Sequence, residues 1–456
     1  FRQPAFAERN AALRRRLLEP STLKIAVVLP LLKNGEHPGA KEREIGLSLY
    51  EGIQLAYEEF VSAGGAKRPL TLEVKDIERE VSRAVTIVRD LCADPGVLGI
   101  IGPPFSNTAF AVAYHVNTSG VPLVTPTANA DGIAATGPYV FQANPDFTAR
   151  AKAMARHAVQ SLGLMRLGVL APNEPNSRTM ANAFIAEATR LGATVLTPEF
   201  YEPGSTSLVT QLTALRRRAN EAGAEPFLMF GTSVGRREAA QLARLGVSQH
   251  LLDSLLATKA VVNAERLLGA QARSLLDAEK IPYRAGDPRV DSLDRPVTAL
   301  QGLYCPISSP EEIGIVSSQV AYFNIQARLL GSGEWNNESE LTAHRLYCTG
   351  VIFESDTYIE PTDDAYRMFV ERYTRRFGRR PDRNSIFGYD VGKVIFAALQ
   401  KGALTRDKLR DALATLPAVQ GLHAKISFNS RRVNPWLYIM QYTGSGIQRV
   451  AEISAE

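Results

Sequence analysis

The chain has 456 residues, of which 45% are hydrophobic and 22% are charged. Lys and Arg total 52 and Asp and Glu total 47, giving a formal net charge of +5. This length allows two domains. No apolar stretch reaches the roughly 18 residues of a membrane-spanning helix. The mild basic excess comes without an aromatic-rich basic stripe, so we expect no nucleic-acid partner. Because Phe1 is not a start residue, we expect that the N-terminus has been processed or trimmed.

The first part of the chain alternates strands and helices. Residues 1–20 have the pattern of a basic helix, and from Leu23 onward the apolar spacing predicts strands at 24–30, 70–76 and 97–101 with helices between them. Such alternation with short loops is typical of parallel strands joined by right-handed crossovers. In sheets of this kind ligands bind beyond the carboxyl ends of the strands.

Small polar residues follow two of these strands. Ser106, Asn107 and Thr108 come after the apolar run 97–101 and precede a helix predicted from Ala109. The free N–H groups at a helix start suit an anionic or polar ligand group. The alternative for Ser106 is a plain helix N-cap without a ligand. Ala128 and Asn129 follow the next strand, so the two strand ends together predict half of a ligand cleft.

The second part of the chain repeats the pattern with an interruption. The alternation restarts near Tyr139, and residues 219–298 indicate a mainly helical insertion. Strands resume after it, at 300–306, 327–330, 350–353, 421–428 and 436–442. The two runs of strands and helices resemble two copies of one architecture.

Cysteine and motif patterns give no sign of metal binding or catalysis. The three cysteines are Cys92, Cys305 and Cys348, and the last two follow similar Leu-Tyr sequences that we interpret as strands. A disulfide between Cys305 and Cys348 and a pair of buried free thiols both remain open. The chain has no Gly-x-Ser-x-Gly elbow, no Walker lysine loop and no Cys-x-x-Cys motif.

Several phrases, in order and spacing, resemble one family. They are Ile100-Ile101-Gly102-Pro103 with Ser106, Gly120 through Pro126, Phe369 through Tyr373 with Phe377 through Asp382, Phe387-Gly388-Tyr389-Asp390, and Gly421 through Asn429. Over about residues 22–456 the chain resembles type I periplasmic binding proteins, specifically the branched-chain amino-acid-binding group.

The resemblance implies an α/β fold of two Rossmann-like lobes joined by a three-strand hinge. Lobe 1 would comprise 22–142 and 358–430, lobe 2 would comprise 143–357 and 431–456, and 1–21 would be an N-terminal helical extension or linker. It also implies a periplasmic, monomeric protein that is not an enzyme, needs no cofactor and has lost a signal peptide or lipid anchor. Such proteins hold a small amino-acid-like ligand between lobes that close by hinge motion, and they deliver it to the permease of an ABC transporter.

The resemblance places ligand contacts on both lobes. In lobe 1 the serine that binds an amino-acid carboxylate falls on Ser106, beside Asn107, and the second loop falls on Ala128 and Asn129. In lobe 2 three positions depart from the family: Asn176-Ser177 stands where a Tyr-Gly pair is common, Ser308 stands near an aromatic position, and Gly333 replaces the acid that holds the ammonium. Because a buried ammonium needs a carboxylate, an amino-acid ligand would require Glu334 or Glu174. We therefore expect a carboxylate ligand that differs from leucine.

A second resemblance leads to a different function. The basic helical N-terminus, the long insertion and the altered lobe 2 contacts also resemble penicillin-binding-protein activator lipoproteins. Those proteins share this fold behind a helical-repeat domain and act by protein contact at the envelope.

Overall fold

The computed structural model describes residues 22–33, 40–223, 225–286 and 296–456. The predicted N-terminal extension, residues 1–21, lies outside these described residues. Internal contacts divide the chain into two units. Unit 1 comprises the residues through Ala153 together with Glu354–Ile439 and Arg449–Glu456, and unit 2 comprises Met154–Phe353 and Met440–Gln448. The lobe boundaries given above stay a prediction.

Strands and helices alternate along most of the described chain, which confirms the predicted α/β fold class. The strands are β1 (Leu23–Leu29), β2 (Leu70–Asp76), β3 (Val97–Ile101), β4 (Leu123–Thr125), β5 (Val140–Gln142), β6 (Arg166–Pro172), β7 (Thr194–Val195), β8 (Glu199–Tyr201), β9 (Pro226–Met229), β10 (Val261–Asn263), β11 (Arg284–Ala285), β12 (Gly302–Cys305), β13 (Arg328–Gly331), β14 (Ile352–Ser355), β15 (Val419–Gln420), β16 (Lys425–Ile426), β17 (Trp436–Tyr442) and β18 (Ile447–Ser454).

The α-helices of the described residues vary from four to 22 residues. They are α1 (Lys41–Ser62), α2 (Val81–Ala93), α3 (Ser106–Ser119), α4 (Phe147–Arg156), α5 (Pro175–Arg190), α6 (Val209–Gly223), α7 (Arg236–Arg244), α8 (Gln249–Ala257), α9 (Glu265–Leu268), α10 (Ala272–Ala278), α11 (Glu312–Tyr322), α12 (Glu338–Ala343), α13 (Arg345–Cys348), α14 (Asp364–Phe377), α15 (Arg383–Gln400) and α16 (Arg406–Thr415). None of the helices in the described part of the chain has the length and apolarity needed to span a membrane.

Unit 1 is built on a five-stranded parallel sheet in the order β2-β1-β3-β4-β5. Its first strand, β1, lies inside the sheet and buries every residue except Lys24, which explains its near-continuous apolar sequence. Since all five strands run in one direction, the loops that follow them lie along one edge of the sheet. The sheet therefore gathers the residues that come after β3, β4 and β5.

Two glycines let α1 and α15 pack closely in unit 1. A Cβ on Gly52 would lie 1.9 Å from the backbone oxygen of Ser385, and a Cβ on Gly388 would lie 2.1 Å from the backbone oxygen of Leu49. Both distances are far inside van der Waals contact, and each contact atom belongs to backbone that cannot rotate away. The interface of these helices therefore requires glycine at both positions.

Unit 2 also contains parallel strands. The sheet follows the order β14-β13-β12-β6-β7, with β8 also paired to β6. Strands β13, β12 and β6 are parallel neighbours, so the loops after them share one edge. Phe184 of α5 stacks on Tyr304 of β12 with ring centroids 4.2 Å apart, which anchors that helix on the sheet.

The predicted insertion contains a hydrophobic core of its own, which we call the insertion core. Its buried members all lie between Leu228 and Ile281. Helices α7 to α10 and a small antiparallel sheet, in the order β10-β9-β11, surround it. The insertion at 219–298 is predicted to be mainly helical, but Val261–Asn263 forms the strand β10. Two adjacent β-branched valines fit a pleated strand, and a short apolar run does not by itself distinguish strand from helix.

The predicted strand at 421–428 is also wrong. The chain there forms only the two-residue strands β15 and β16 with a turn between them. The buried Asp390 carboxylate accepts hydrogen bonds from the backbone N–H groups of Leu422, at 2.8 Å, and His423, at 3.0 Å. Because both amides point at one carboxylate, the segment turns instead of extending.

The three cysteines are buried free thiols. The interpretation of Cys348 as a strand residue is wrong, because it ends the short helix α13. Its Sγ donates to Ser317 Oγ at 3.4 Å, whereas Cys305 Sγ lies 3.8 Å from its own strand's Leu303 carbonyl oxygen. Burial raises the pKa of both thiols, so neither is a reactive thiolate.

Gly52→Ala should destabilise the protein by about 3 kcal/mol or more, because the new methyl group forces two helix backbones apart and overpacking of this kind costs at least ~1–3 kcal/mol. Urea unfolding followed by circular dichroism would measure the change. The matched control is Ser62→Ala at the exposed end of the same helix, which should alter the free energy of unfolding by less than about 0.5 kcal/mol. Equal stability of Gly52→Ala and the parent would contradict the close approach of α1 and α15.

Candidate functional site

The loops after β3 and β4 bring the predicted residues of unit 1 together. Ser106 is the first residue of α3, three positions earlier than predicted, and its Oγ accepts a hydrogen bond from the backbone N–H of Ala130 at 3.2 Å. Thr127 Oγ1 donates to the carbonyl oxygen of Pro104 at 2.9 Å. These two bonds hold the loops side by side, so Ser106 lies next to the segment that contains Ala128 and Asn129.

The start of α3 presents hydrogen-bond donors at this position. Helical bonding begins with Ala109, whose N–H donates to Phe105, so the N–H groups of Ser106 and Asn107 precede the first helical bond. The Thr108 N–H instead donates to Asn107 Oδ1 at 2.8 Å. Two N–H groups and the partial positive charge of a 14-residue helix favour an anionic group here.

The backbone of the second loop is held rigidly. Gln142, which is fully buried, donates through Nε2 to the carbonyl oxygens of Ala128, at 3.4 Å, and Ala130, at 3.0 Å. The carbonyl oxygen of Asn129 accepts from the Phe147 N–H at 3.2 Å. Ala128 is buried, whereas Ser106 and Asn129 are half-buried, so the Ser106 and Asn129 side chains are among the accessible polar groups of this pair of loops.

Asn107 is exposed and lies on the wall of a cavity. It lines a cavity of about 350 Å³ together with residues of the β2–α2 loop and the start of α1. Arg79 and Glu42, both on the wall of this cavity, form an ion pair at 2.9 Å. The structure therefore places Asn107, the neighbour of Ser106 along the chain, on the wall of a cavity that also contains a charged pair.

Sequence reasoning missed two buried acceptors near Ser106. Asn144 Oδ1 and Asp131 Oδ2 are buried and have no hydrogen-bond partner among the described residues. Burial, followed by the charge of Asp146, raises the pKa of Asp131. The only sequence signal for Asn144 was its place two residues beyond β5, in the same relation that Thr127 has to β4.

The three predicted residues of unit 2 follow neighbouring strands. Asn176 follows β6, Ser308 follows β12 and Glu334 follows β13, and these strands are adjacent in the sheet. Asn176 lies in the first turn of α5 and is exposed, as is Glu334 in a one-turn 3₁₀ helix at Gly333–Trp335. The sheet thus brings the three positions to one edge.

Ser308 uses its donors within unit 2. Its N–H and hydroxyl both donate to Glu312 Oε1, at 3.2 and 2.8 Å, and the Tyr201 hydroxyl donates to Glu312 Oε2. Burial, together with the Glu312 carboxylate, raises the pKa of Tyr201 far above its usual value. The Ser308 donors therefore bind a carboxylate of the chain itself.

Trp335 is a packing residue. It is completely buried, and its Nε1 donates to the Cys305 carbonyl oxygen at 2.9 Å. A Cβ on Gly331 would lie 2.4 Å from the indole ring, so the ring packs directly against the end of β13. Glu334, the residue before Trp335, is exposed. Within the described ranges, no group of three or more His, Cys, Asp or Glu side chains could hold a metal ion.

Two aspartates of unit 1 should respond oppositely to neutralisation. The Asp76 carboxylate accepts N–H bonds from Leu31 at 2.8 Å, Leu32 at 3.1 Å, Lys33 at 2.9 Å and Glu78 at 2.9 Å. Burial alone would raise its pKa, but these bonds together lower it. Its charge therefore stabilises the fold above the unfolded pKa of about 3.9, and that contribution is lost as the pH falls through the folded pKa.

The charge of Asp131 has the opposite effect on stability. Because the pKa of Asp131 is raised in the folded protein, its ionised form destabilises the fold above the unfolded pKa. We expect Asp131→Asn to raise, and Asp76→Asn to lower, the free energy of unfolding at about pH 7, with both differences shrinking toward about pH 4. Urea unfolding across this pH range measures them. Destabilisation by Asp131→Asn at about pH 7 would contradict the placement of this carboxyl.

The comparisons with known proteins agree with this architecture. A family model described as "Periplasmic binding protein" matches residues 22–276 and 317–446, which is well over half of the chain. No curated protein sequence matches it.

Among solved structures, a protein described as a branched-chain amino acid ABC transporter from Rhodospirillum rubrum has 18% identity and a TM-score of 0.66, with 94% of this chain and 100% of that chain covered. A substrate-binding protein from Desulfitobacterium hafniense in complex with Leu has 17% identity and a TM-score of 0.56, with 94% and 100% covered. A solute-binding protein from R. palustris in complex with benzoate has 15% identity and a TM-score of 0.53, with 95% and 96% covered. At these identities the likeness concerns the fold, whereas the family model matches the sequence itself, and the chain belongs to the periplasmic binding protein family.

Proposed function

We propose that this chain is an extracytoplasmic solute-binding protein that captures a small carboxylate for the permease of an ABC transporter. The observation that carries the proposal is the start of α3. There the Ser106 hydroxyl and the first two N–H groups of the helix lie beside the loop of Ala128 and Asn129. This arrangement supplies several donors to one anionic group, which is what recognition of a carboxylate requires.

The solved relatives support a carboxylate in particular. Two of the three named above are complexes, one with leucine and one with benzoate, and another, from Streptococcus pneumoniae, is a complex with isoleucine. These ligands share a carboxylate and differ in whether they carry an ammonium. A carboxylate site in unit 1 that includes Ser106, Asn107, Ala128 and Asn129 fits all of them. In unit 2 we propose Asn176, Ser308 and Glu334 as further contact positions, with Glu334 as the candidate partner of an ammonium.

Periplasmic or extracytoplasmic location and action as a monomer follow from the same proposal. Binding and delivery need no bond chemistry, so the proposal includes neither a catalytic residue nor a cofactor. Glu312 already accepts hydrogen bonds from both Ser308 donors. The contacts proposed in unit 1 therefore have stronger support than those proposed in unit 2.

A second candidate function is regulation at the envelope by protein contact, as in penicillin-binding-protein activators. The insertion core favours it, because a segment with a buried apolar cluster of its own can offer a partner a surface apart from the Ser106 loops. A partner protein could then bind the insertion without involving Ser106. Binding measurements on small carboxylates separate the two candidates.

Ser106→Ala should weaken carboxylate binding about tenfold or more, because a hydrogen bond to a charged group contributes about 1.5–3 kcal/mol. The measurement is a thermal-shift screen of the purified chain against amino acids and against aromatic and aliphatic carboxylates, followed by calorimetry on each hit. A ligand that binds only the folded state stabilises it by about 2.7 kcal/mol at a hundredfold excess over Kd.

Thr118→Ala is the matched control for this experiment. Thr118 lies near the other end of α3, is exposed and donates only to backbone of its own helix, so the variant should bind like the parent. Equal loss in both variants would trace the effect to the helix and not to Ser106. If no carboxylate shifts the midpoint of the folded parent, the transport proposal fails and protein contact becomes the better explanation.

A further inference from the structure

Asn144 occupies the position in unit 1 that corresponds to Thr127 on the neighbouring strand. Strands β4 and β5 are parallel, and Thr125 is aligned with Gln142. Two residues further along, the same register aligns Thr127 with Asn144. Asn144 Nδ2 donates to the Thr127 carbonyl oxygen at 3.2 Å, which shows that the alignment continues past the strand ends. Asn144 therefore belongs to the same edge of the sheet as Ser106 and Ala128.

The other polar atom of this side chain lacks a partner. Asn144 is 3% exposed, and its Oδ1 is buried without a hydrogen bond to any described residue. An amide oxygen can accept two hydrogen bonds. The large majority of buried side-chain polar atoms in proteins have at least one hydrogen-bond partner. A buried, unpaired acceptor at the carboxyl edge of a parallel sheet calls for a donor from outside the chain.

The surrounding polar groups, in contrast, are occupied. The Thr127 hydroxyl donates to Pro104, and the Gln142 side chain bonds to Ala128 and Ala130 and accepts from the N–H of Ala134. Neither loop therefore supplies the missing donor through these groups. The one comparable atom in the second loop is Asp131 Oδ2, which is also a buried acceptor without a partner among the described residues.

We propose that Asn144 is a further solute-contacting residue, whose Oδ1 accepts a hydrogen bond from a hydroxyl or ammonium group on the bound carboxylate. This inference rests on the proposed function and narrows it. The N–H groups at the start of α3 bind the carboxylate, and the Asn144 oxygen selects acids that carry a donor over acids that do not. A site built to bond a donor rejects the analogue that lacks it, because the protein acceptor is then left unpaired.

The test uses three probes with one carbon skeleton: 4-methylpentanoate, 2-hydroxy-4-methylpentanoate and leucine. They differ only in a hydrogen, hydroxyl or ammonium at the second carbon. Calorimetry on the full chain should give an affinity about tenfold higher for at least one donor-bearing probe than for 4-methylpentanoate, which is the effect of one hydrogen bond. Asn144→Leu should reduce that ratio to within a factor of about two.

Two further variants keep the test decisive. Asn144→Asp retains an acceptor and adds a negative charge, so it should raise the affinity for leucine relative to the hydroxy acid. This result is available even where Asn144→Leu fails to fold. Thr118→Ala, far along α3, should leave all three affinities as in the parent.

The outcomes separate this inference from the proposed function. Equal affinity for the three probes, or a preference that survives in Asn144→Leu and is unaltered in Asn144→Asp, overturns the role of Asn144 while the capture of carboxylates stands. If none of the probes and no other carboxylate of the screen binds the folded parent, the proposed function fails and the role of Asn144 fails with it.

Discussion

The parallel pairing of strands is the constraint on which the candidate site depends. In unit 1 the sheet β2-β1-β3-β4-β5 runs in a single direction, and backbone hydrogen bonding makes the loops after its strands neighbours whatever side chains they carry. Side chains then lock the loops in place. Thr127 bonds to Pro104, Ala130 to Ser106, and Asn144 to Thr127, so three chain segments that are distant in sequence share one polar surface.

The two units differ in what their strand ends do with polar groups. In unit 1 the N–H groups of Ser106 and Asn107 precede the first helical bond of α3, and the buried Oδ1 of Asn144 has no partner among the described residues. In unit 2 the corresponding donors bond within the chain, because the Glu312 carboxylate accepts hydrogen bonds from Ser308 and from the Tyr201 hydroxyl. A carboxylate so completely bonded is a fixed part of the fold. Recognition of a solute carboxylate is thus better supported in unit 1 than in unit 2.

A buried group of charges stabilises unit 1 where the chain leaves and re-enters it. Arg150 bonds to Glu354 at 3.4 Å and to Asp356 at 2.5 Å, and Arg383 bonds to Asp356 at 2.7 Å. Burial would raise the pKa of Asp356, but the two guanidinium groups overcome it and hold that pKa far below its usual value. Removal of one partner from such a pair costs about 3–5 kcal/mol. The group therefore ties the segments at Ala153 and Glu354 to α15.

Much of the fold could be predicted from the sequence because periodicity is a local property. Strands β2, β3 and β17 have the predicted bounds or nearly so, and the family phrases identified the architecture. Two of the failures involve a contact from further along the chain. Asp390 bends the predicted strand at 421–428 through Leu422 and His423, and β10 exists because it pairs with β9.

The sequence by itself determined the fold class, the family and the placement of Ser106, Ala128 and Asn129 after two strands of one sheet. These follow from apolar spacing, from the identity of residues at strand ends and from the direction of parallel strands. Only the tertiary structure decided which polar atoms are already used. It showed that the Ser308 donors are bonded to Glu312, that Asn107 lines a charged cavity and that Asn144 Oδ1 has no partner among the described residues. Hydrogen-bond partners are chosen by distance and burial in three dimensions, and neither quantity is a function of residue order.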